Sequence, residues 1–210
     1  MPTVPISDLL VKDNDLVVAT NGRSFWILDD LAVLRQAAAD RAEDVLRLFQ
    51  PAPTYRFTPP LGAGRPAGPG RNYALGLGYA AGYRDEERPD GETVRVMLDA
   101  GANPPDGVVV HYFLETKTDD EATITFHDSQ GEEIKSFSSV KPEKEEGTGI
   151  SATGEKKRED PLVRVEAGMN RFIWDMRYPD ARQVDIDDAT DHGLAGPHAP
   201  PGSYAVRLTV

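Results

Sequence analysis

Four aspartates and a histidine crowd one short stretch: Asp185, Asp187, Asp188, Asp191 and His192, in D-I-D-D-A-T-D-H. Hard carboxylate oxygens at that spacing could hold Ca²⁺. The EF-hand pattern is not met, because the stretch has no turn glycine and no bidentate glutamate at the required distance. The competing reading is a solvated acidic loop. A second candidate is Tyr73, Tyr79 and Tyr83, whose amphipathic rings could stack on sugar faces or pack a long loop. His111 and His127 lie on predicted strands separated by a turn and could face each other. Without a third ligand or a base partner, two imidazoles are more often structural. Gly62-Ala63-Gly64 with Ala67, and Gly76-Leu77-Gly78 with Ala81, both fit a loose G-x-G-x-x-A. Neither sits between a clear strand and a clear helix, as phosphate cradling requires. Ser24 has no neighbouring histidine, and neither G-x-S-x-G nor H-E-x-x-H occurs. No catalytic residue is assigned.

Composition narrows the partners. Lys and Arg number 23 against 35 Asp and Glu, a net charge of −12. Such a chain repels nucleic acid and anionic membrane, and no basic patch interleaved with aromatics offsets this. There are no cysteines, which excludes disulfides, thiol catalysis and Cys-based zinc. Met1–Leu10 has neither a basic n-region nor an apolar h-region, so no signal peptide is expected. No apolar run reaches the length of a membrane span.

The elements that must position these residues are mostly strands. Ile6–Val11, Leu16–Thr20 and Phe25–Leu28 are separated by the polar turn Lys12–Asp15 and by Asn21-Gly22, a strong hairpin signal. They predict an antiparallel meander. Asp29-Asp30 can cap a helix carrying Leu31, Leu34 and Ala38. Val45, Leu46 and Phe49 suggest a second helical turn, ended by Pro51 and Pro53. Pro59–Gly70 reads as a connector, and Arg84–Glu92 as charged and exposed.

From Thr93 the pattern is that of a β-sandwich. Val94–Leu98, Val108–Leu114, Ala122–His127 and Ile134–Phe137 are candidate strands, and Val163–Val165 begins another. Asn170–Asp175 places Phe172, Trp174 and Met176 on one face, with Asp175 and Arg177 opposite, available for ion pairs. Tyr204–Val210 closes the chain with Tyr204, Val206 and Leu208 on one face. Lys141–Asp160 mixes charges of both signs with almost nothing apolar and is expected to be a mobile loop. Trp26 and Trp174 are expected in the core.

Two sets of residues carry a resemblance. Asp15–Asp30 (D-L-V-V-A-T-N-G-R-S-F-W-I-L-D-D), with Leu31 and Leu34-Arg35-Gln36, resembles the last blade of the β-propeller in bacterial BNR-repeat glycosyl hydrolase-like and sortilin-like proteins. That family usually has His where this chain has Asn21. Gly101–Gly107, Asn170–Pro179 and Pro200–Val210 are similar to the C-terminal immunoglobulin-like or fibronectin-III-like domain of the same proteins. The W-D…P-G-x-Y pattern is also similar to the Ig-like domain of flagellar hook-capping proteins. The sialidase Asp-box S-x-D-x-G-x-x-W is absent. The resemblance implies an active site on a propeller axis outside this chain, and a secreted or periplasmic location.

The expected fold is therefore mainly β. Residues 1–50 form a propeller-blade remnant (a β-meander plus a short helix), 51–92 a Gly/Pro-rich connector, and 93–210 an antiparallel Ig-like β-sandwich. The expected function is a non-catalytic accessory or interaction module of a glycosyl hydrolase-type propeller protein. Its partners would be the missing propeller portion, a second protein chain or carbohydrate, and neither nucleic acid nor membrane. The rival is a retained or partner-completed glycoside hydrolase of the BNR or sialidase type, which needs two carboxyls flanking a cleft. A lone meander leaves two edges open, so Leu16–Leu28 is expected to be covered by the sandwich, by Tyr73–Tyr83 or by a second chain.

Overall fold

The computed structural model describes residues 1, 3–39, 45–56, 83–87, 93–97, 101, 104–141, 160–180 and 195–210. The protein is mainly β, with antiparallel sheets and one short helix among the described residues. It divides into two compact units: Met1–Arg35 with Tyr55–Pro105, and Gln36–Thr54 with Asp106–Val210.

The first unit contains the expected meander. Strands β1 (Ile6–Lys12), β2 (Asp15–Thr20) and β3 (Phe25–Leu28) pair in that order. Asp13-Asn14 turns β1 into β2, with Asp13 at φ 54°, a left-handed conformation that Asp tolerates through its short polar side chain. Gly22, at φ +80°, lies in the loop from β2 to β3. That loop is closed by the Thr20 N–H and hydroxyl, both donating to the Ser24 carbonyl at 3.2 and 2.7 Å. Helix α1 (Ala32–Ala39) follows. Its cap is Asp30, whose Oδ1 accepts from the Ala32 N–H at 3.0 Å, as the acidic pair predicts. A separate hairpin pairs β5 (Tyr83–Glu87) with β6 (Thr93–Met97). The Arg84–Glu92 stretch therefore begins as a strand. Val94 pairs with Glu86 rather than joining the C-terminal sheets.

The second unit holds the large core. One sheet runs β10 (Gly168–Trp174), β7 (Val108–Leu114), β4 (Leu46–Leu48); the other runs β11 (Ala205–Thr209), β8 (Thr123–His127), β9 (Glu133–Ser138). The second helical turn expected at Val45–Phe49 is instead β4, which pairs with β7. Flanking bonds from the Phe49 N–H to the His111 carbonyl and from the Glu115 N–H to the Val45 carbonyl extend the ladder. Val45, Leu46 and the buried Phe49 fit helical spacing, but the tertiary pairing decides.

Alternation in β7, β8 and β10 sends Val110, Tyr112, Leu114, Ile124, Phe126, Phe172 and Trp174 into one shared core. The rings of Phe126 and Trp174 stack at 4.3 Å, Phe137 meets Phe172 at 4.7 Å, and Tyr204 meets Trp174 edge-on at 5.9 Å. The inward face expected for Asn170–Asp175 is thus realised at Phe172 and Trp174, with Met176, Tyr204, Val206 and Leu208 packed against the same cluster. Gly107 is required by close approach: a Cβ there would collide with the Trp174 carbonyl oxygen. Val163 is buried and its N–H donates to the Ser138 carbonyl at 3.0 Å, but Val163–Val165 does not form a strand. The buried Asn170 shapes the turn before β10, donating to the carbonyls of Glu166 (2.7 Å) and Gly168 (3.1 Å).

Candidate functional site

The N-terminal sheet is the surface that the sequence makes most unusual. Its register sorts side chains onto two faces. One face carries Leu10, Val17, Ala19, Phe25 and Ile27, with Asp8, Lys12 and Asp15 along its margin. The other carries Leu9, Val11, Leu16, Val18, Trp26 and Leu28, with Thr20 at its end. A half-solvated antiparallel sheet normally shows one apolar and one polar face. Here both faces are largely apolar, with the charges of Asp8, Lys12 and Asp15 confined to the margin of one.

Exposure makes this consequential. Phe25 is 72% exposed, Leu10 and Ile27 are each 58%, and Leu9, Val11 and Leu28 are more than half exposed. Val18 is buried, at 8%, whereas Phe25, Ile27 and Leu28 of β3 are exposed. Trp26 is partly buried rather than core. Its indole N–H donates to the Arg23 carbonyl at 3.0 Å, and a Cβ at Gly101 would meet the edge of its ring at 3.9 Å. Burying a Val, Leu, Ile or Phe side chain completely is worth about 1.5–3 kcal/mol. Covering the exposed halves of Leu9, Leu10, Val11, Phe25, Ile27 and Leu28 would contribute roughly 5 kcal/mol. Association costs about 4–15 kcal/mol, so burial of these faces at most roughly offsets it and a paired edge would add the surplus.

Both edges of this sheet, β1 and β3, lack a strand neighbour among the described residues. In β1 the polar groups of alternate residues must point outward. The Thr20 N–H donates toward β3, so the intervening Val17 and Asp15 turn toward β1 and bond Leu10 and Lys12. Leu9 and Val11 therefore face out. In agreement, the Leu9 N–H is held by its neighbour's carboxylate, Asp8 Oδ1, at 2.8 Å.

The other sequence candidates fare differently. Asp185, Asp187, Asp188 and Asp191, Tyr73 and Tyr79, and both G-x-G-x-x-A stretches lie outside the described residues. Tyr83 opens β5, opposite Met97. Among the described residues no group of three His, Asp or Glu is gathered closely enough for a metal ion. His111 and His127 do not face each other. His111 pairs with Arg171 in one sheet and His127 with Ala205 in the other, each next to an inward-pointing ring (Tyr112, Phe126), so both point away from the core. Asp175 accepts the Arg177 N–H at 3.2 Å, and the Arg177 guanidinium donates to the Gly196 carbonyl at 2.8 Å.

A shallow groove of about 520 Å³ runs past Leu48, His127, Gly131 and Ala205–Leu208. Its titratable groups are His127 and Arg207, and its lining holds no carboxyl. The paired acids of glycoside hydrolysis are not found there. Among the described residues the strongly displaced titration is that of Tyr112. Burial pushes its hydroxyl up to about 12, and that hydroxyl donates to the Arg164 carbonyl.

No family model matches the sequence, and comparison with curated proteins and with solved structures returns no match.

Proposed function

We propose that this protein is a non-catalytic interaction module that docks through its N-terminal sheet. The observation that carries this reading is the apolar character of both faces of β1–β3, more than half exposed along β1 and β3. A three-stranded sheet with two apolar faces is stable in water only when packed between other layers. In this reading β1–β3 acts as a blade-like element of a larger β assembly, as the resemblance of Asp15–Asp30 implies. The two sheets of the second unit serve as an immunoglobulin-like sandwich that carries it. The shared core of β7, β8, β9 and β10 and the aromatic pair Phe126–Trp174 support that architecture. The reading extends to a protein partner. Carbohydrate has weaker support, since Tyr73 and Tyr79 are not among the described residues.

The test uses an apolar fluorescent dye that lights up on exposed hydrophobic surface. The folded chain should bind it, and the combined variant Leu9→Ser, Val11→Ser, Leu28→Ser should bind several-fold less with unchanged near-ultraviolet circular dichroism. Equal dye uptake by both proteins would overturn the reading. So would turnover of aryl glycosides by the purified chain, which would restore the hydrolase alternative.

A further inference from the structure

The outward edge of β1 is built to pair with itself. We propose that a second copy of this chain binds antiparallel along β1, with Leu10 opposite Leu10 of the second copy, to give one continuous sheet. The inference rests on the docking role of the N-terminal sheet and adds the partner and the register.

Register follows from parity and charge. Because Leu9 and Val11 carry the outward N–H and carbonyl groups, edge pairing must join outward residues to outward residues. That admits only arrangements in which an odd position meets an odd position and an even position an even one. Centring on Asp8 would set the two Asp8 carboxylates against each other, and centring on Lys12 would oppose two ammonium groups. Centring on Leu9 or Val11 places Asp8 or Lys12 opposite Leu10. Centring on Leu10 puts Lys12 of each copy opposite Asp8 of the other, on the same face of the sheet. The same register pairs Leu9 with Val11 of the second copy, and Val11 with Leu9, on the opposite, uncharged face. Each of those two pairs exchanges two backbone hydrogen bonds. The arrangement is isologous and closes on itself, as twofold interfaces do. The β3 edge offers only Phe25–Leu28, with no charge to fix a register.

In the free chain the same charged groups are occupied locally. Asp8 holds the Leu9 N–H, and Lys12 lies 3.0 Å from Asp13, with both side chains largely in solvent. Pairing exchanges each of these for a cross-strand partner. The Leu9 N–H passes to the Val11 carbonyl of the second copy, which frees Asp8 for Lys12. The association is therefore graded by concentration and weakened by salt.

The experiment is sedimentation equilibrium with a charge-swap set. The wild-type mass should rise with concentration from that of the 22.9 kDa chain towards twice that value. Lys12→Glu and Asp8→Lys should each weaken association about tenfold, since two attractive pairs become repulsive. The double variant Asp8→Lys, Lys12→Glu should restore it. A cysteine-free background allows a second readout. Leu10→Cys should oxidise to a covalent dimer, because non-hydrogen-bonded antiparallel partners sit about 4.5 Å apart at Cα, within disulfide reach. Ile27→Cys should not. A monomer at every concentration, failure of the double variant to recover, or equal cross-linking of the two cysteine variants would overturn the proposal. If the dye test succeeds while these fail, the docking reading stands and the second copy falls. If the dye test itself fails, the shared premise falls.

Discussion

Replacing Phe126 by alanine should produce the largest single loss of stability in the second unit. The Phe126 ring is 2% exposed, stacks on Trp174 at 4.3 Å and meets Phe137 edge-on at 6.1 Å. Phe→Ala in such a site costs about 3–5 kcal/mol, from lost transfer energy and the cavity left behind. The stacked geometry places Phe126 toward the upper part of that range, since ring pairs add about 0.5–1.5 kcal/mol beyond area. With a urea slope of about 2 kcal/mol per molar, a loss of about 4 kcal/mol lowers the midpoint by about 2 M. The assay is fluorescence of Trp174 in a Trp26→Phe background, which leaves one tryptophan of the two and places it directly on the perturbed ring. Phe126→Leu should lose much less, about 1.5 kcal/mol or under. A midpoint change below about 0.5 M for the alanine variant would refute the claim that β8 and β10 meet through these rings.

Other outcomes follow from single contacts. Tyr112, raised to about 12, holds its proton after the unfolded chain has begun to release its own near pH 10. Its contribution is intact below pH 10 and is lost as pH rises toward 12, so the melting temperature should fall across that window. In Tyr112→Phe that alkaline loss should shrink. The same variant should cost roughly 1–2 kcal/mol at neutral pH, because the Arg164 carbonyl loses the hydroxyl donor at 2.5 Å. Absorbance at 295 nm should show one of the seven tyrosines titrating last, and its early titration would contradict the buried site. Gly107→Ala should destabilise by more than about 2 kcal/mol, since the added methyl meets the Trp174 backbone as well as the Ile173 side chain. A neutral effect in thermal melts would show that the β7 entry can shift.

Much of the fold was legible where alternation and turn chemistry agree. Phe172 and Trp174 at period two, Asn21-Gly22 and the Asp30 cap all formed local structure of the expected type. Legibility ended where pairing over long sequence distances decides. Val45, Leu46 and Phe49 have helical spacing, yet Leu46–Leu48 becomes a strand because β7 offers an open edge some sixty residues later. Val94 belongs with Glu86 because β6 pairs with its sequence neighbour β5, a choice no composition reveals. The histidines alternate correctly, but sequence alone could not assign β7 and β8 to different sheets. The candidate surface was half legible. An orphan meander with exposed edges follows from pattern alone. The charge register of Asp8, Leu10 and Lys12 emerges only once β1 is known to be an edge and its outward residues are known.

The central claim is that the faces of β1–β3 are open working surface. Carbene footprinting of the folded chain, read residue by residue by mass spectrometry, tests it most directly. The account predicts label yields at Leu9, Leu10, Val11, Phe25, Ile27 and Leu28 several-fold above those at Val110, Ile124 and Phe172. Yields at β1 and β3 as low as those in the core would contradict it.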